Sequence, residues 1–106
     1  MTKIVLTAGA KNDLAEIKQY ISETLDNSAA AVRIVAGITK KLHGLERFPE
    51  MGALLKAEEN IVGYRYLICG NYMVFYHISD SSVFVDRVLY GRRNYLSLLL
   101  GGEQDD

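Results

Sequence analysis

The sequence predicts an α+β fold in which one β-strand and an antiparallel pair of helices precede a three-stranded antiparallel meander and a short C-terminal helix. Two observations support this prediction. Apolar residues recur at helical spacing between residues 11 and 45, whereas Tyr, Val, Ile and Phe dominate three short segments after residue 61. With 106 residues, 49% of them hydrophobic, the chain suits a single domain, which we expect to span residues 1–100.

The beginning of the sequence predicts a strand followed by a helix. Residues 3–7 are rich in apolar and β-branched side chains, which is typical of a strand, and the Ala-Gly-Ala of residues 8–10 is typical of a turn. From Lys11 the apolar residues take helical spacing. We therefore expect a helix to begin there, with Asn12 and Asp13 supplying its N-terminal cap.

A second apolar stripe, from Ala31 to Leu45, predicts another helix that ends before Pro49. The short connection between the two stripes predicts an antiparallel helical hairpin. Gly37 lies inside the second helix, where glycine costs about 1 kcal/mol relative to alanine. We expect Gly37 to pack closely against a neighbouring element, the alternative being an exposed glycine without such a role.

Three antiparallel strands are predicted in the second half, at residues 62–68, 72–78 and 83–90. The turns between them set a register that places specific side chains beside one another on each face. The first face carries Arg65, Tyr76 and Val85, and also Leu67, Val74 and Arg87. The opposite face carries Tyr64, His77 and Phe84, and also Tyr66, Phe75 and Asp86.

Both faces of this sheet are largely apolar or aromatic, so each needs a cover. The helices cover one face, and we expect the C-terminal segment or another chain to cover the other. Asn94 is predicted to cap a short helix at residues 95–100, whose leucines are too apolar to remain in water. Residues 101–106 contain two glycines and four polar residues, so we expect a disordered acidic tail.

The charge balance excludes some classes of protein. The formal net charge is −1, but three of the 13 acidic residues lie in the tail, which leaves a body of about +2. Proteins that coat nucleic acid through phosphate contacts have a much larger excess of basic residues. No apolar run approaches the roughly 20 residues that span a bilayer, and a single cysteine allows no internal disulfide. We therefore expect a cytoplasmic protein without a membrane anchor.

A dense group of arginines and tyrosines in the second half is the candidate binding surface. Guanidinium groups bind phosphates or carboxylates in a bidentate manner, and tyrosines stack or hydrogen-bond beside them. Such a surface suits either a phosphate during RNA cleavage or the carboxylates of a protein partner. An ordinary salt bridge is the alternative role for Arg87. The candidate binding residues are Arg65, Arg87, Arg92, Arg93, Tyr90 and Tyr95.

Catalytic signatures are sparse in this sequence. There is no zinc-ligand spacing, no phosphate-binding glycine loop and no nucleophile elbow, so we expect neither a metal nor a cofactor. His77, on a strand beside Tyr76, is able to transfer protons, although a structural role is favoured. A role without catalysis is favoured, and the alternative is a metal-independent endoribonuclease. If the protein cleaves RNA, His77 and Arg65 are the catalytic candidates.

Five segments of the sequence carry a resemblance to a known family. In chain order they are residues 13–21, 47–52, 64–67, 72–76 and 87–95, and the last has the sequence RVLYGRRNY. In this order and spacing they resemble the RelE/ParE family of bacterial toxins from type II toxin-antitoxin modules. The resemblance implies a helical hairpin packed on an antiparallel sheet. It also implies a cognate antitoxin, encoded beside the toxin, that wraps around it and neutralises it.

Members of that family have two different functions, and the resemblance of this sequence is greater to one of the two branches. RelE-like members cleave messenger RNA in the ribosomal A site, whereas ParE-like members poison DNA gyrase. Met73 stands where RelE-like nucleases carry a strand arginine, and Leu98 and Leu99 stand near their terminal tyrosine or histidine. We therefore expect a ParE-like toxin that acts on gyrase, with ribosome-dependent cleavage of messenger RNA as the alternative.

Overall fold

Two helices pack on one face of a five-stranded sheet in the computed structural model, which describes residues 2–55 and 63–91. In chain order the elements are β1 (Lys3–Leu6), α1 (Ala8–Gln19), a π-helical turn (Tyr20–Thr24), α2 (Ser28–Gly44), β2 (Ala53–Leu54), β3 (Tyr64–Cys69), β4 (Tyr72–Ser79) and β5 (Ser82–Tyr90). The α+β class and the helical hairpin are confirmed. The predicted helix at residues 95–100 and the tail at residues 101–106 lie outside the described residues.

The sheet has the order β1-β5-β4-β3-β2. Strands β3, β4 and β5 form the predicted antiparallel meander, and β1 joins β5 in parallel. The two-residue strand β2, which the sequence does not predict, pairs antiparallel with β3. Within the described part of the chain, no helix is long and apolar enough to cross a membrane.

The start of α1 differs from the sequence-based prediction. The helix begins at Ala8, so the turn expected at residues 8–10 is wrong, and so is the cap expected from Asn12 and Asp13. Thr7 is the N-cap, because its hydroxyl oxygen accepts a hydrogen bond from the amide of Ala10 at 3.2 Å. The same hydroxyl donates to the carbonyl of Val85 at 2.9 Å, which attaches the beginning of α1 to β5.

A β-bulge corrects part of the predicted register. The pairings of Tyr76 with Val85 and of His77 with Phe84 are confirmed. Beyond them the register shifts, because Asp86 is an additional residue in β5. Val88 therefore lies opposite Val74, where Arg87 was expected, and Arg87 lies opposite Phe75, where Asp86 was expected.

The main core lies between the helices and the sheet face that carries Tyr76 and Val85, both fully buried. Against them pack Ile38 and Leu42 of α2 and Leu45, the residue that follows this helix, none more than 6% exposed. This assigns the helices to the first of the two predicted faces. Burying these side chains supplies most of the free energy that favours folding.

The opposite face holds a smaller cluster around Phe75, which is fully buried, with Leu89 and Leu55 at 3% and 8% exposure. The sequence left open whether the C-terminal segment or another chain covers this face. Burial of these three side chains is reached within a single chain, so a partner is not needed for that purpose.

Gly37 has no packing neighbour. A Cβ atom built on Gly37 would meet nothing within 4 Å, so the predicted close contact is wrong and the alternative, a glycine without such a role, holds. The glycine therefore retains its helical cost without a compensating contact.

We expect Gly37→Ala to raise the free energy of unfolding by about 1 kcal/mol, because alanine restricts the unfolded chain and meets no steric obstacle. Thermal unfolding followed by circular dichroism should show a midpoint higher by several degrees. The reverse change at the exposed neighbour, Ala36→Gly, is the matched control and should lower the midpoint. A lower midpoint for Gly37→Ala would contradict the open environment at this position.

Candidate functional site

Arg87, predicted as a binding residue, forms a bidentate ion pair with Asp13 of α1. Its Nε donates to Oδ2 at 2.7 Å, and one terminal nitrogen donates to Oδ1 at 2.9 Å. The amide of Val88 donates to the same Oδ2 at 2.8 Å. Asp13 is 6% exposed, and its hydrogen bonds raise the pKa of the Arg87 guanidinium. The structure thus places Arg87 in the salt bridge that the sequence left as its alternative role.

A groove of about 670 Å³ opens above this ion pair, between α1, the beginning of α2 and the end of β5. Its walls are apolar, with Ile17, Ile21 and Ile34 among the lining residues. Tyr20, Leu25 and the predicted binding residue Tyr90 also line it, and each is just over half exposed. Apolar walls with exposed aromatic edges are typical of a groove that receives an amphipathic helix.

The π-helical turn at Tyr20–Thr24 shapes one end of this groove. The amide of Leu25 donates to the carbonyl of Tyr20, five residues earlier, at 3.1 Å. Asp26, with a φ of 52°, ends the turn, and the side chain of Asn27 caps α2 by accepting from the amide of Ala30. The wider turn brings Tyr20 and Leu25 to the same groove. Such turns recur at functional sites in proteins.

The predicted residue His77 lies on the opposite side of the sheet and pairs with Asp86. Its Nδ1 is 2.7 Å from Oδ2 of Asp86. The imidazole stacks on Phe84 with ring centroids 5.3 Å apart, and the edge contact with Tyr64 is 5.7 Å. Burial raises the pKa of Asp86, although the hydrogen bond from His77 opposes part of that rise. This pair has the form of a carboxylate-oriented histidine.

Arg65 binds the backbone of the loop between α2 and β2, defined here as the α2–β2 loop (residues 45–52). One terminal nitrogen of Arg65 donates to the carbonyls of Glu50 at 3.1 Å and Gly52 at 2.8 Å. The hydroxyl of Tyr76, its cross-strand neighbour, donates to the carbonyl of Pro49 and accepts from the amide of Gly52. Arg65 therefore supports this loop.

Arg65 and His77 point to opposite faces of the sheet. Arg65 is paired with Tyr76, which lies in the core beneath the helices, and His77 is the next residue along β4. Since side chains alternate between faces along a strand, the imidazole and the guanidinium do not meet. Three further predicted binding residues, Arg92, Arg93 and Tyr95, lie outside the described residues.

Sequence reasoning missed two acidic residues of these clusters. Asp13 is 74 positions from Arg87, and local patterns carry no information on such a pair. Asp86 lies on the same face as His77, as the predicted register places it, but the sequence does not show that the two side chains are in contact. Aspartate on an otherwise apolar helical face, as at Asp13, is the one signal that pointed to a buried partner.

The chain is similar to known toxins in sequence and in fold. A family model described as the ParE toxin of the type II toxin-antitoxin system parDE matches residues 4–95. No curated protein sequence matches the chain. A structure of the chromosomal ParDE toxin-antitoxin system from P. aeruginosa is similar with a TM-score of 0.74 and 19% identity, over 87% of this chain and 98% of that one.

Two further solved structures share the fold. The RelBE2 toxin-antitoxin complex from Mycobacterium tuberculosis matches with a TM-score of 0.64 and 24% identity, over 84% of this chain and 96% of that one. The YoeB/ParE toxin from Agrobacterium tumefaciens matches with a TM-score of 0.57 and 19% identity, over 83% and 96% of the respective chains. At these identities the structural matches establish the fold alone.

We expect Asp13→Asn to lower the free energy of unfolding by about 2 to 3 kcal/mol, because it removes the nearly buried negative charge of the bidentate pair with Arg87. Urea unfolding followed by circular dichroism measures the loss. Glu23→Gln, which removes an exposed negative charge from the turn that follows α1, is the control and should change stability by less than about 0.5 kcal/mol. Equal stabilities of the two variants would argue against an anchoring role for the pair.

The pH dependence of stability should report the environment of Asp86. Its pKa in the folded protein is raised above 3.8, so the folded state binds this proton more tightly than the unfolded chain. The stability that Asp86 contributes is therefore present below pH 3.8 and declines as pH rises through the folded-state pKa. Across this window the wild type should lose stability relative to Asp86→Asn, as measured by urea unfolding at a series of pH values. A constant or growing advantage of the wild type would contradict the raised pKa.

Proposed function

Because the chain belongs to the ParE toxin family of type II toxin-antitoxin systems, we propose that it stops bacterial growth by binding DNA gyrase rather than by cleaving RNA. One observation carries the choice between the two. The two residues that a nuclease mechanism would need together, Arg65 and His77, lie on opposite faces of the sheet.

Cleavage of RNA requires several groups at one phosphate. A base activates the 2′-hydroxyl, a cation stabilises the charge that develops on the phosphate oxygens, and an acid protonates the leaving oxygen. Arg65 donates to the α2–β2 loop and Arg87 to Asp13 of α1, so neither guanidinium is directed to the face that carries His77. This arrangement supports a toxin that acts through protein contacts.

Cleavage of messenger RNA on the ribosome is the second candidate, and the pair of His77 and Asp86 is the observation that favours it. Because the carboxylate of Asp86 pairs with Nδ1 of His77, the second ring nitrogen, Nε2, is available for proton transfer. The imidazole is also 36% exposed, so a substrate has access to it. The pair does not supply the cation that the phosphate requires.

The partner of this toxin is a cognate antitoxin, and the groove beside α1 is where we place its amphipathic segment. The groove offers apolar walls formed by Ile17, Ile21 and Ile34, with exposed side chains at its rim. Glu16 and the ion pair of Asp13 and Arg87 add polar groups of both signs. Gyrase and a co-encoded antitoxin both reside in the cytoplasm, so we expect the toxin to act there.

We expect the purified toxin to inhibit supercoiling by gyrase and to produce no codon-positioned cuts in a translating extract. His77→Gln should then arrest growth as the wild type does, since no step of the action needs a titrating group. The RNA-cleaving mechanism makes the opposite prediction, because loss of a general acid or base lowers a rate by about 10²- to 10⁴-fold. Codon-positioned cuts by the wild type that disappear in His77→Gln, with antitoxin binding intact, would replace gyrase by the ribosome as the target.

A further inference from the structure

The α2–β2 loop exposes large apolar side chains at its tip. Phe48 is 62% exposed and Met51 is 45% exposed, and both line one shallow depression of the surface together with Pro49 and Glu50. The amide of Met51 donates to the carbonyl of Phe48, which closes a turn between them. These side chains contribute little to the core. Exposed neighbouring apolar residues of this size are typical of interaction surfaces.

The fold holds this loop in one conformation. Tyr76 is fully buried, yet its hydroxyl binds the loop at both Pro49 and Gly52, and Arg65 binds it at two carbonyls. A Cβ on Gly52 would lie 2.6 Å from the Tyr76 hydroxyl and 2.8 Å from the carbonyl of Tyr66, so only glycine fits there. The tip is therefore ordered before any partner binds, which lowers the entropic cost of association.

We propose that the tip of the α2–β2 loop, through Phe48 and Met51, is the surface that contacts the target protein. The inference rests on the proposed function in one respect, namely that the target is a protein. The partner surface is an apolar pocket with a mixed-charge rim, because Arg47, Glu46 and Glu50 flank the apolar tip. One base and two acids do not suit a phosphate backbone, whereas apolar anchors inside a polar rim are the usual composition of a protein interface.

The α2–β2 loop and the groove beside α1, which we propose for the antitoxin, lie at opposite ends of α2. Ala30 and Ile34 line the groove near the beginning of the helix, and the loop follows Gly44 at its end. Ala30 and Gly44 are fourteen positions apart on α2, which corresponds to about 21 Å along the helix axis. Substitutions at the loop tip should therefore affect the target and leave antitoxin binding unchanged.

The test compares the double variant Phe48→Ala, Met51→Ala with the wild type in growth arrest and in a gyrase supercoiling reaction. Because both side chains are exposed anchors, we expect the concentration that gives half-maximal inhibition to rise at least about tenfold. Val32→Ala is the matched control, since Val32 is also 62% exposed but lies on α2, and it should behave as the wild type. Binding of the co-encoded antitoxin should be equal in all three proteins, which shows that they are folded.

Failure of the inference and failure of the proposed function give different results. A double variant that arrests growth at the same expression level as the wild type would overturn the role of the loop, whatever the target is. A wild-type protein that leaves supercoiling unaffected would overturn gyrase as the target, and the growth comparison would then decide the loop by itself. Weaker growth arrest with intact antitoxin binding supports the loop as the target contact.

Discussion

The ion pair between Asp13 and Arg87 is the contact on which the arrangement of the two layers depends. A nearly buried carboxylate accepts hydrogen bonds from two guanidinium nitrogens and from the amide of Val88, and it thereby fixes α1 on β5. Gly9 permits the approach, since a Cβ there would lie 3.2 Å from Cδ of Arg87 and 3.3 Å from the carbonyl of Asp86. This contact positions α1 and β5, which form one wall and the floor of the groove. Hydrophobic burial supplies stability, whereas this pair selects one position of α1 on the sheet.

Two neighbouring residues at the bulge in β5 have different partners. Asp86 turns to His77 on the outer face, and Arg87 turns to Asp13 beneath the helices. In a regular strand the residues after Val85 would keep the pairing that the turns impose, and Arg87 would lie opposite Val74 rather than opposite Phe75. The additional residue therefore changes which residues of β4 lie opposite Arg87 and Val88. Bulges beside functional sites have this effect in many sheets.

The success and failure of the sequence-based predictions follow the range of the interactions. The pairings of Arg65 with Tyr76 and of His77 with Phe84 are correct, because short turns fix the register locally. The contact of Asp13 with Arg87 joins residues that are far apart in sequence. The bulge at Asp86 depends on one additional residue in β5. The periodicity of the sequence reveals neither feature.

Errors at single residues have equally specific causes. The predicted start of α1 is wrong because an Ala-Gly-Ala segment is compatible with either a turn or a helix. The hydroxyl of Thr7, which caps the helix, also bonds to β5, and the sequence does not reveal that contact. Gly37 was misjudged because a helical glycine has the same appearance in sequence whether or not a neighbour needs its space. The sequence predicts only part of the candidate surfaces. The exposure of Phe48, for example, depends on the hydrogen bonds that hold its loop.

The π-helical turn has a consequence for the shape of the groove beside α1. Removing one residue between Tyr20 and Thr24 would allow the chain to close as an ordinary α-helix, and every later residue of that helix would rotate by about 100° around its axis. Leu25 would then leave the rim of the groove. The rim of the groove at Leu25 therefore depends on the length of this turn, which the insertion or deletion of one residue would change.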